Sequence, residues 1–99
     1  MLVHSVYFWL KGGLSSADRE AFRQGLESLT AIKSAREVYI GSPAPTPKRP
    51  IVESSYDFGL IVVLPDMAAH DAYQIDPVHK AFIAKFSPMW ERLLVFDVQ

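Results

Sequence analysis

The chain has 99 residues with a formal net charge of −1, and is 49% hydrophobic and 12% aromatic, the composition of one folded domain over residues 1–99. A near-zero charge without like-charge blocks excludes an electrostatic footprint for nucleic acid or acidic membranes. There is no cysteine, so disulfides and thiolate metal sites are excluded, and no apolar run is long enough to span a bilayer.

The apolar start, Leu2 to Leu10, lacks the basic region and small-residue cleavage site of a leader peptide, so a soluble, cytoplasmic protein is expected. The same stretch is rich in β-branched and aromatic residues and reads as a strand. Alternation places Leu2, His4, Val6, Phe8 and Leu10 on one face and Val3, Ser5, Tyr7 and Trp9 on the other. Helices of the same chain suit the first face, and a partner subunit suits the second. Lys11-Gly12-Gly13 ends the strand.

Ser15 with Asp18 three residues on opens an amphipathic helix whose inner face carries Phe22, Leu26 and Leu29. A second strand is read over Ala35 to Ile40. Pro43, Pro45, Pro47 and Pro50 then hold Ser42 to Ser55 extended and out of any ladder. That segment reads as a surface loop, with a flap over a pocket mouth or a clasp on a partner as the alternatives. Tyr56 to Leu64 is the strongest strand, apolar enough to be covered on both faces.

Asp66 caps a short helix over Met67 to Tyr73, and Asp76-Pro77 opens the next one. Aspartate offers a capping oxygen, and proline fits the first helical position because its missing N–H has no partner there. His79 falls in the first turn of that helix, where the unpaired amides disfavour an imidazolium. Val78, Phe82, Ile83 and Phe86 face inward, Pro88 interrupts, and Leu94 to Val98 closes the chain as a fourth strand.

The order strand, helix, strand, strand, helix pair, strand gives an α+β fold. It is a ferredoxin-like four-stranded antiparallel sheet with helices on one face. The other sheet face then needs cover, and a homodimer joined through that face supplies it.

Strand one with His4, the Tyr56-Asp57-Phe58 strand, Asp71 to His79 with its Tyr-x-x-x-Pro-x-His core, and the terminal Leu94-Val95-Phe96-Asp97 together resemble the stress-responsive A/B barrel (Dabb) domain. The resemblance spans the whole chain and implies a dimeric α+β barrel. It includes a plant branch, the olivetolic-acid-type polyketide cyclases, in which a Tyr and a His of one protomer's pocket serve an aldol condensation. By motif those roles fall on Tyr73 and His79, with Asp97 behind the histidine and His4 on the first strand.

The chemistry of these residues fits that pattern. His79 with a carboxylate such as Asp97 on its far nitrogen can act as a general base, and Tyr73 can donate to a developing enolate. Structural readings stand beside these. His79 and Asp97 can simply tie the last strand to the last helix, and Tyr73 and His4 can be satisfied core residues. His70, beside Asp71, is expected to be exposed and without a role. Ligation of a metal by His4, His79 and Asp97 is weighed and not expected, and neither metal nor cofactor is assigned. No phosphate loop, nucleophile motif or dinucleotide fingerprint is present.

Three functions stay open at this point. The first is a cofactor-free lyase, cyclase or isomerase moving a proton on a carbonyl, polyketide-like substrate. The second is a non-catalytic, stress-associated homodimer holding a small apolar ligand. The third is a monooxygenase of the dimeric α+β barrel group.

Overall fold

The computed structural model describes every residue, Met1–Gln99. The elements in chain order are β1 (Leu2–Leu10), α1 (Ser16–Ser28) with a 3₁₀ turn (Leu29–Ala31), β2 (Glu37–Gly41) and β3 (Phe58–Leu64). Then follow α2 (Met67–Ile75), α3 (Pro77–Phe86) with a 3₁₀ turn (Ser87–Met89), and β4 (Trp90–Val98). The strands form one antiparallel sheet in the order β2-β3-β1-β4. This is the ferredoxin-like arrangement expected from the element order.

Each helix begins where its capping chemistry lies. Ser15 Oγ accepts from the amide of Asp18 at 3.0 Å while the Asp18 carboxylate accepts from the amide of Ser15 at 3.2 Å, a complete capping box on α1. Asp66 accepts from Ala69 at 2.9 Å on α2, and Asp76 accepts from Val78 at 2.8 Å on α3. The Asp76–Pro77 step splits what would otherwise be one helix. A residue before proline is pushed out of the helical region, and Asp76 sits at ψ 136°.

The inward face of β1 is buried throughout, and Leu60, Val62 and Leu64 of β3 lie beside it. Phe22, Leu26 and Leu29 close the core from one side, and Tyr73, Phe82 and Phe86 from the other. The helices α1 and α3 approach closely at Gly25, where an added Cβ would lie 2.3 Å from Cε2 of Phe86. Glycine is needed there for space and not for its backbone freedom.

Several boundaries differ from the sequence reading: β2 runs Glu37–Gly41 where Ala35 to Ile40 was expected, and α2 continues past Tyr73 to Ile75. β4 starts at Trp90 instead of Leu94, because Trp90 pairs with Leu10 and Arg92 with Trp9, past a register shift in the ladder. Glu91 and Arg92 lie within the strand, since an edge strand tolerates charge on its exposed side. β3 starts at Phe58 and not Tyr56. Asp57 turns its carboxylate to accept from the Leu10 amide and from Arg19, each at 2.7 Å, which pins the end of β1 to α1.

Burial of the inward face lapses on β4, where Leu93 and Val95 remain 37% and 43% exposed. A cavity opens there, between β4 and α3. The outward sheet face has no element of this chain over it. Tyr7 and Trp9 lie on it with Phe96, Val98 and Tyr39, the last three more than half exposed. The proline segment ends against this face: Trp9 Nε1 donates to Ser55 Oγ at 2.9 Å, and Ser55 Oγ donates to Glu53 at 2.5 Å. No residue of that segment lines the cavity beside β4, so it is not that cavity's flap. No helix is long and apolar enough to cross a membrane.

Candidate active site

The split between α2 and α3 creates the site. In a continuous helix the carbonyl of Gln74 would accept from the amide four residues on, that of Val78. Here Val78 is taken by Asp76, and the freed carbonyl accepts from Nδ1 of His79 at 3.1 Å. A carbonyl can only accept, so Nδ1 carries the proton and Nε2 of neutral His79 holds a lone pair. Burial lowers the pKa of His79 below the usual value. The Gln74 bond opposes this, His4 lowers it further, Asp76 raises it, and His70 lowers it again. Near neutral pH the ring is an uncharged base.

Tyr73, on the last turn of α2, is fully buried with its ring 4.9 Å from that of His79 and 5.9 Å from that of His4. Its hydroxyl has no hydrogen-bond partner. Burial raises its pKa well above the ordinary phenol value, so it is a donor at any physiological pH. The Nε1 of Trp90 is the second buried group near this cavity that lacks a partner.

His4, Tyr73, Gln74, His79 and Trp90 line one cavity of about 210 Å³, whose remaining walls are aliphatic and aromatic. Ile83 on α3 faces Leu93 and Val95 on β4 across it, and all three are partly exposed and rim its mouth. A dry cavity of about 150 Å³ holds a benzene. This one therefore suits a compact ligand somewhat larger than that.

The structure brings His4, Tyr73 and His79 together, as the sequence reading expected, but it pairs the carboxylate differently. Asp97 stands opposite His4 in the β1–β4 ladder, and its Oδ1 lies 2.5 Å from Nδ1 of His4. The expected His79–Asp97 pair is not formed. The backbone carbonyl of Gln74 holds the position expected of a carboxylate on His79. A pairing between two strands cannot be read from local spacing, whereas register settles it.

His70 also departs from expectation. It is half-buried, its ring packs edge-on 5.4 Å from that of His4, and its Nδ1 donates to Asp71 at 3.1 Å. All three histidines of the chain thus gather on one side of the sheet. Trp90 was legible as one of several large apolar residues, most of them plain core and some able to line a cavity, and the structure places it in the cavity wall. Its position just after Pro88, where a helix must end, was the available sign of a side chain turned back over the sheet.

The stress responsive A/B barrel domain (Dabb) matches this chain over residues 2–99. The chain belongs to the Dabb family.

Among solved structures, this Dabb domain is similar to a Dabb family protein with a ferredoxin-like fold from Mesorhizobium loti MAFF303099. The two are 27% identical with a TM-score of 0.78, over 99% of this chain and 94% of that one. It is similar in fold to a dimeric ferredoxin-like protein of unknown function from Thermobifida fusca YX, at 21% identity and a TM-score of 0.79, over 98% of this chain and 88% of that one. It is also similar in fold to the hydroxynitrile lyase of Passiflora edulis, at 18% identity and a TM-score of 0.80, over 98% and 90% of the two chains. No curated protein matches it in sequence.

Proposed function

We propose that this Dabb domain is a homodimer whose protomers each carry out proton transfer on a small carbonyl compound. The supporting observation is the pairing, in one apolar cavity, of a neutral imidazole with a buried hydroxyl that has no partner of its own. Leaving such a donor unsatisfied costs about 1–3 kcal/mol. A ligand oxygen accepting from Tyr73 removes that cost.

In this reading Nε2 of His79 takes a proton from the carbon next to the carbonyl, and the C–H electron pair moves into the carbonyl as an enolate. The hydroxyl of Tyr73 donates to the enolate oxygen, and the apolar walls keep water from competing for that charge. Return of the proton to another carbon gives an isomerase. Attack of the enolate carbon on a second carbonyl, whose oxygen then takes the proton back from His79, gives a cyclase. Expulsion of a group from the next carbon with its bonding pair as the enolate collapses, that group taking the proton from His79, gives a lyase. A lyase on the same fold exists in Passiflora edulis, although at 18% identity the shared fold does not carry its substrate over. His4, held by Asp97, is the further polar group in the cavity wall.

The homodimer forms through the outward sheet face, since similar structures are dimeric and Phe96, Val98 and Tyr39 stand exposed there.

The test is a titration with 2,4-pentanedione, a compact diketone, followed by two-dimensional amide NMR. Shifts confined to the cavity residues and weakened at least tenfold in Tyr73→Phe support the reading. Shifts scattered over the surface, or equal binding by the variant, contradict it.

A further inference from the structure

The geometry points to a divalent transition-metal site formed by His4, His70 and Asp97, for a cation of the zinc, cobalt or nickel class. One ligand atom from each residue lies within 4.8 Å of the others. The three come from β1, α2 and β4, so the cluster is a product of the fold and not of sequence adjacency. Two imidazoles and one carboxylate match the donor preference of these metals, and three protein ligands leave a coordination position open.

His70 supplies the second, independent observation. Its Nδ1–H is anchored on the carboxylate of Asp71 at 3.1 Å, which fixes the tautomer and leaves Nε2 with a free lone pair. Its ring stands edge-on, 5.4 Å from His4. Carboxylate-anchored histidines of this kind are the usual outer support of metal sites, where the carboxylate orients the ring and raises its basicity. His70 makes no other polar contact that would explain this arrangement.

On the other side, Nδ1 of His4 lies 2.5 Å from Asp97, a position a cation takes in place of the shared proton. His4 then becomes its Nε2–H tautomer, with no net change in its charge. Ligand atoms around a tetrahedral zinc sit roughly 3.3 Å apart at the usual bond lengths. Small rotations of the two rings and of the exposed Asp97 side chain close the difference. His4 is buried, His70 is half-buried and Asp97 is exposed, so the site has a firm floor and an entry path from solvent.

The site shares His4 with the cavity wall, but neither His79 nor Tyr73, the base and the donor of the proton-transfer reading, is a ligand. Failure of the metal site would leave that base and donor in place, and failure of the proton-transfer reading would leave the metal ligands in place.

The test uses the untagged full chain and Co²⁺ as the probe, read by its visible absorption, with Zn²⁺ competition by calorimetry. The expected result is one Co²⁺ per chain with a tetrahedral or five-coordinate spectrum, displaced by Zn²⁺. His70→Gln, at a half-buried position that accepts the change, abolishes it, and Asp71→Asn weakens it roughly 10–100-fold. His79→Gln leaves it unchanged. Absence of the spectrum in the wild-type chain overturns the site, as does undiminished binding by His70→Gln.

Discussion

Nδ1 of His79 lies 3.1 Å from the carbonyl oxygen of Gln74, a carbonyl left free because Asp76 and Pro77 interrupt the helix between them. One sequence feature thus does two things: it starts α3 and it sets the tautomer of the only histidine in its first turn. Removing the cap with Asp76→Ala loosens both. A stability loss of about 1 kcal/mol is expected from the cap alone, measurable by urea denaturation. The His79 Nδ1–H signal should exchange faster with solvent in the same variant.

Acid should destabilise this protein through His79. Burial holds its folded pKa below 6.5, the value it recovers in the unfolded chain. Below pH 6.5 the unfolded chain takes up a proton that the folded chain resists. The stability present above that pH is therefore lost as the pH falls through the folded pKa. Thermal melts from pH 7.5 to 5 should show Tm falling at the acid end, with a shallower fall in His79→Gln. Any catalysed proton abstraction should share this acid limb, and the variant should lose about 10²–10⁴-fold in rate.

Tyr73→Phe separates function from stability. The buried hydroxyl bonds to no protein group, so its removal should raise stability, by up to about 1–3 kcal/mol if the full desolvation cost is recovered. The same change should cost about 10²–10³-fold in rate, the usual effect of losing one donor to a developing oxyanion. A variant that is less stable than the wild type would show that the hydroxyl has a structural partner.

Gly25→Ala should destabilise the fold by about 1–3 kcal/mol. Its methyl would lie 2.3 Å from Cε2 of the buried Phe86 ring, which would have to shift. Phe86→Leu in the same chain should recover part of the loss, which identifies the clash as the cause.

Phe96→Glu should convert the proposed dimer to a monomer in sedimentation velocity. Phe96 is 53% exposed on the outward sheet face, so the folded protomer tolerates the charge while an apolar interface does not. A dimer of unchanged affinity would place the interface elsewhere.

The sequence revealed what is local. Capping residues located all three helices, alternation sorted the faces of β1, and the Asp76–Pro77 step announced the turn that carries His79. It was weaker where tertiary pairing decides. Whether Asp97 meets His4 or His79 depends on the register of β4 against β1, which follows from strand pairing and a shift near Trp9. The inward turn of His70 depends on how α2 lies over His4. Neither arrangement has a spacing signature, so His70 read as an exposed residue and Asp97 as the partner of the wrong histidine.

The most direct measurement is deuterium exchange at the α-carbon of a small ketone in D₂O, followed by proton NMR with the wild-type chain and with His79→Gln. Loss of the α-proton signal faster than in buffer, abolished by the substitution while the variant stays folded, is the expected result. Exchange at the buffer rate across a panel of ketones and diketones that bind the cavity would contradict the assignment of His79 as a working base.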